Sequence, residues 1–159
     1  MRKITLLIVF AFIISAISFA QGDGNAPLGK GGKQINFGVG FIDGIPLYVG
    51  VDFGVHRDVS LGPEIDFDLS GFDWMRIKFR ADYHWNSLIG IPSEWDFYSG
   101  VGLGPKIRLD NNDNNNNNDV GFLFQVNIGG RWYWSDWGIN SEFGLGTDIN
   151  WRFGLSKRF

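Results

Sequence analysis

The sequence predicts an all-β fold, an eight-stranded antiparallel up-and-down transmembrane β-barrel. Three observations predict it. Apolar and polar residues alternate with period two through eight segments, the pattern of strands with two unlike faces. The polar face collects most of the strand glycine, with acids and bases in near balance, as a narrow filled lumen requires. Aromatic residues gather at strand ends, where a bilayer interface favours them. Composition agrees, since 23 Gly and 16% aromatic residues in a chain of 159 favour strands over helices.

The elements follow in order. Met1-Arg2-Lys3 precedes an apolar run from Ile4 to Phe19, and Ser18-Phe19-Ala20 supplies a small-x-small site. A charged start, an apolar stretch and such a site describe a secretory signal peptide, 1–20, cleaved after Ala20. The alternative is an N-terminal anchor, which the cleavage pattern and the Gly-rich segment that follows disfavour. Residues 21–32 have no period and read as a flexible lead-in to a barrel domain over 33–159. Beyond Ala20 no apolar stretch is long enough for a transmembrane helix. The chain has no cysteine, so an exported domain of this size needs a core or closed strand pairing in place of disulfides. The net charge of −3 gives no argument for nucleic acid.

Strands are expected at 33–41, 47–56, 59–69, 73–85, 95–109, 120–134, 137–146 and 149–159. The punctuation is turn chemistry: Asp43-Gly44-Ile45-Pro46, Arg57-Asp58, Ser70-Gly71, Ser135-Asp136 and Thr147-Asp148. Two connections are longer, Asn86 to Glu94 and the Asn-rich 110–119. One face of these strands is apolar, from Ile35 and Phe37 at the start to Phe153 and Leu155 at the end. Lys157 is its one charge, at a strand end where a long side chain can snorkel.

Alternation alone leaves open which face is inside. A soluble sandwich or barrel would turn the apolar face inward, and a membrane barrel would turn it outward. Glycine on a solvated face only weakens a strand, whereas small residues in a narrow lumen make room for long side chains opposite. Glu64, Asp66 and Asp68 on the third strand face Arg76, Lys78 and Arg80 on the fourth, so hairpin pairing sets opposite charges side by side. Asp82 extends that set. A sealed interior needs such balance, because unpaired buried charge costs several kcal/mol. Trp85, Trp95, Trp132, Trp134, Trp137 and Phe159 fall at one rim, and Phe41, Phe72, Trp74 and Trp151 at the other. All three features favour the outward apolar face.

Several stretches carry a resemblance: Ala81-Asp82-Tyr83-His84-Trp85-Asn86, the segment from Ile91-Pro92-Ser93-Glu94-Trp95 to Gly104, and Gly129-Gly130-Arg131-Trp132-Tyr133-Trp134-Ser135-Asp136. The ending Phe153-Gly154-Leu155-Ser156-Lys157-Arg158-Phe159 completes it. The chain resembles the small eight-stranded outer-membrane β-barrels, the OmpA/OmpX-like, porin-family proteins of Gram-negative bacteria. The resemblance implies a bacterial outer-membrane location, contact with outer-membrane lipid and passage through the barrel-assembly machinery. Phe159 resembles the terminal aromatic assembly signal, while Lys157 departs from the apolar residue usual two positions earlier.

Candidate chemistry is sparse. By alternation His56 and His84 point into the lumen, with Ser87 just beyond, so a Ser/His hydrolase is one reading. No nucleophile motif surrounds Ser87, and an enzyme is not expected. Asp110 to Asp119 offers many oxygen ligands but lacks the glycine and terminal Glu of a calcium loop, so it reads as a solvated surface loop. Gly100-Val101-Gly102-Leu103-Gly104 continues strand periodicity and is no nucleotide loop. Arg131, Glu142 and Arg152 fall on lumen faces of strands six, seven and eight. They read as a gate or, in so narrow a barrel, as part of a buried ion-pair network. The expectation is a monomeric, non-enzymatic barrel with a polar lumen and no cofactor or metal, serving envelope structure or surface interaction. The alternatives are a narrow channel for small solutes and a soluble exported barrel binding an apolar ligand.

Overall fold

A computed structural model of the chain describes residues 26–42, 44–69, 74–109 and 120–159. The expected signal peptide, the Asn-rich segment 110–119 and Phe72 of the expected rim lie outside these residues. Eight strands run in chain order: β1 Lys33–Phe41, β2 Pro46–His56, β3 Val59–Asp68, β4 Trp74–His84, β5 Trp95–Arg108, β6 Val120–Trp134, β7 Trp137–Gly146 and β8 Asn150–Arg158. Each pairs antiparallel with its sequence neighbour, and β1 pairs with β8 to close the barrel. Strand lengths run from 9 to 15 residues, enough for every strand to cross a bilayer at the tilt of a barrel. No helix among the described residues is long and apolar enough to cross a membrane.

Burial decides the orientation of the faces. Lys78 is 2% exposed and Arg152 1%, whereas Phe79 is 57% and Phe122 70% exposed. The charged face is the lumen and the apolar face is the outer wall, the inverse of a water-soluble barrel. Charged and polar side chains fill the lumen among the described residues, where a soluble ligand-binding barrel would present apolar ones.

The turns explain the closures and one departure. Trp134 and Trp137 are partners across Ser135-Asp136, with Ser135 at φ 72°, the left-handed region that tight hairpins use. Between β2 and β3 the register slips from Gly54↔Ser60 to His56↔Val59, a β-bulge. The extra residue reverses the face of everything beyond it. His56, which alternation alone places in the lumen, is therefore exposed, and its Nδ1 accepts the Asp58 N–H at 3.4 Å.

Two connecting segments are more ordered than the sequence suggests. Asn86–Ile89 forms one helical turn, α1, ended by Gly90 at φ 68°. Residues 26–32, the described part of the expected lead-in, form no strand but are tied to the barrel. The N–H of Gly31 donates to the Gly54 carbonyl at 2.7 Å, and that of Gly54 to Gly32 at 2.9 Å. Gly54 has to be glycine there, since a Cβ would fall 1.7 Å from the Gly29 carbonyl oxygen. Ala26 and Leu28 are buried, and Arg158 donates to the Pro27 carbonyl at 3.2 Å. The segment caps the rim at which β1 begins and β8 ends.

Candidate functional site

The polar lumen is the candidate site, and its side chains form three levels. At the level nearest the rim where β1 begins and β8 ends, many of the groups are uncharged. Tyr133 donates to Gln34 Oε1 at 2.5 Å, Gln34 to Asn36 Oδ1 at 2.7 Å, and Asn36 to Asp52 at 2.8 Å. Arg131 closes this level. Its guanidinium donates to Asp52 at 3.1 Å and Asp96 at 2.9 Å, and lies 4.0 Å over the Tyr98 ring. Asp96 also meets His84 Nδ1 at 2.7 Å, while His84 Nε2 lies 2.9 Å from Ser60 Oγ. Ser60, His84 and Asp96 thus make a hydrogen-bonded chain in the order of a hydrolytic triad, but each is 1% exposed. Ser87 takes no part and donates to Asp58.

The middle level is ionic. Lys78 sits opposite Glu64 in the β3–β4 register and pairs with it at 2.8 Å, and with Asp66 at 3.2 Å. Arg80 lies opposite Gly62, whose Cβ would strike the Val51 carbonyl oxygen at 1.6 Å. The Arg80 guanidinium reaches Glu64 at 2.6 Å, Asp82 at 2.9 Å and, across the lumen, Glu142 at 2.6 Å. Arg152 pairs with both Glu64 and Glu142 from β8. Two guanidiniums therefore bridge the same two carboxylates. Tyr98 donates to Glu142 at 2.9 Å, and Asn127 to Asp82 at 2.9 Å, filling remaining lone pairs. Each ion keeps several partners, which a water-poor interior demands.

The third level lies at the opposite rim. Arg76 and Lys106 both pair with Asp148, at 2.8 and 2.7 Å. Lys106 and Arg108 stand 4.8 and 5.6 Å from the Trp74 ring centre. Partial burial pushes the Asp148 carboxyl up, but the Lys106 hydrogen bond and the Arg76 charge outweigh it and hold it below the ordinary carboxylate range.

The sequence-predicted residues are thus distributed over levels. Glu64, Asp66, Lys78, Arg80, Asp82, Glu142 and Arg152 meet in the middle. Arg76 is the backbone partner of Asp66 yet spends its bond on Asp148 from across the rim. Asp68 is buried with its carboxylate against Gly44 at the β1–β2 turn. Arg131, grouped with Glu142 and Arg152 on sequence, belongs to the first level with Asp52 and Asp96, because Glu142 aligns with Gly129 two residues away. Sequence reasoning left out Tyr48, Tyr98 and Tyr133, all buried, although their position on the polar face was the available signal. Phe159 is 72% exposed at the end of β8. Among the described residues no cluster of His, Asp or Glu could hold a metal ion.

No protein family and no curated protein matches the chain. Solved structures do. The N-terminal β-barrel domain of Pseudomonas aeruginosa OprF matches at TM-score 0.66 and 13% identity, covering 82% of this chain and 99% of that one. A de novo designed transmembrane β-barrel matches at 0.65 and 12%, covering 82% and 97%. The Yersinia pestis outer membrane protein Ail in a phospholipid nanodisc matches at 0.51 and 13%, covering 82% and 100%. At these identities the likeness is one of fold. The chain has the closed, eight-stranded, all-antiparallel fold of the small transmembrane β-barrels.

Proposed function

We propose that this chain is a non-enzymatic barrel of the bacterial outer membrane, closed to solutes by an ion-paired lumen, serving envelope structure or surface interaction. The apolar outer wall, the aromatic rims and the likeness to outer-membrane barrels support the location. One observation carries the closure. Arg80 and Arg152 each bridge Glu64 on β3 to Glu142 on β7, so charged side chains span the lumen from wall to wall. An eight-stranded interior is just wide enough to be filled this way. The burial of Ser60, His84 and Asp96 supports a structural role for that chain over hydrolysis, since a nucleophile must meet its substrate. Phe159, outward and exposed, is suited to be read by the assembly machinery, and outer-membrane lipid is the partner of the wall. Contact with a surface partner would fall to 110–119.

Single-channel recording of the purified full chain in planar bilayers tests the closure. The expected trace shows no sustained conductance. Sustained ion-selective steps would replace this reading with the narrow channel.

A further inference from the structure

We propose that the outer wall carries a phospholipid site, with an acyl chain seated over Gly130 and Ser141 and its phosphate held at Lys157. The inference rests on the membrane reading above and adds a place and a ligand to it.

Among the described strand glycines, Gly130 alone faces outward. The register lays Phe97, Gly130, Ser141 and Phe153 in one row across β5 to β8, so two small residues lie between two phenylalanines. A groove of about 450 Å³ opens over them, walled by Trp95, Trp132 and Ile139. The backbone does not require glycine here. A Cβ at Gly130 would meet the Phe97 ring at 3.5 and 3.6 Å and the Asp96 carbonyl oxygen at 3.7 Å, all ordinary contact distances. Inward Gly129 differs, since its Cβ would strike Tyr98 at 2.5 Å. The absent side chain at Gly130 therefore serves no packing need inside the barrel. Its effect is the groove. Ser141 presents little polarity to the floor, because its hydroxyl oxygen already accepts the Trp151 indole N–H at 3.0 Å. What remains is an apolar furrow facing hydrocarbon, shaped for a chain.

The cation stands where the head of that lipid would be. From the Ser141–Phe153 pair, the register passes Ile139–Leu155 and reaches Trp137–Lys157 at the rim. Four residues at ~3.3 Å each, on a tilted strand, put the groove roughly 10 Å deeper than Lys157. The polar interfacial layer is roughly 5–7 Å thick, so the groove lies in hydrocarbon while the ammonium lies at phosphate depth. The Lys157 ammonium is 5.4 Å from the Trp137 ring and 5.9 Å from that of Phe159. Among the described residues its ion pair is with Asp136 at 3.4 Å, and that carboxylate side chain is 66% exposed, a weak bond that a phosphate can replace.

The test uses the full chain folded in phosphatidylcholine vesicles containing a little phosphatidylglycerol with a photoreactive diazirine in its acyl chain. After illumination, label is expected on segments 95–97, 130–132 and 139–141, severalfold above 61–65 on the far wall. Filling the furrow with Gly130→Leu, or from the other strand with Ser141→Leu, should remove that excess. Lys157→Gln should reduce it, and a zwitterionic probe should show less of it than the anionic one. Even labelling around the barrel, or an excess that survives both filling variants, would overturn the site. An excess unchanged by Lys157→Gln would overturn the phosphate contact. Each sample is also run unheated and boiled on a dodecyl sulfate gel. A missing mobility shift in the unsubstituted chain would mark failure of the membrane reading itself, as distinct from failure of the site.

Discussion

Gly129 and Gly130 are neighbours on β6, and they belong to two different solvents. Gly129 faces the lumen, where a Cβ would collide with the Tyr98 ring whose hydroxyl serves Glu142. Gly130 faces outward, where a Cβ finds ordinary contact. The same contrast holds for the whole inner and outer wall. Inside, stability comes from a few charged groups that depend on one another, so a single truncation strands its partners. Outside, it comes from apolar area spread over some thirty side chains, so a single truncation changes little and only an added charge does harm.

The inner wall is most vulnerable at Glu64. Glu64→Ala would leave Lys78, Arg80 and Arg152 short of a carboxylate and should lower the unfolding free energy by about 3–5 kcal/mol. Urea titration of the chain refolded in vesicles measures it, and a loss near zero would mean that water reaches the lumen. The outer wall has its own worst case. Val126→Arg, midway along β6, should destabilise by about 2–4 kcal/mol in the same titration, and would be harmless on a solvated wall. Next come the paired glycines. Gly129→Ala should cost about 1–3 kcal/mol through displacement of Tyr98, and Gly130→Ala less than about 0.5 kcal/mol. Equal effects would erase the distinction between the walls.

The smallest effect is at Asp148, whose folded carboxyl is held below its ordinary range. Stability from such a group is present above the unfolded carboxylate value and is lost as pH falls through the folded one. The difference between the unsubstituted chain and Asp148→Asn should therefore be largest near neutrality and vanish in strong acid. A difference that grows as pH falls would reverse the assignment.

Most of the wall was legible in the sequence, and much of the lumen was not. Period-two alternation located eight strands to within a residue or two at their ends, and assigned Glu64, Lys78 and Arg152 to one face, because parity is a local property of a strand. It failed at His56, where one bulge residue between Gly54 and Val59 reverses the face. Partner choice was harder. Glu64 with Lys78 follows from a hairpin, but Arg80 with Glu142, or Tyr48 with Asn140 at 2.6 Å, crosses the closed lumen. Such pairs depend on the stagger at which β1 meets β8, and no local pattern records it. The same ignorance placed Arg131 beside Glu142. The order in 26–32 was hidden for a related reason, since its glycines read as flexibility until Gly54 is seen to receive them.

The most direct test of the outward apolar wall is the gel mobility of the bacterial outer-membrane fraction in dodecyl sulfate, unheated against boiled. A closed barrel with its polar groups sealed inside should resist the detergent until heated, so the band is predicted in that fraction and should shift on boiling. A soluble periplasmic species with no heat-dependent shift would contradict the account, because the apolar wall would then have to face inward.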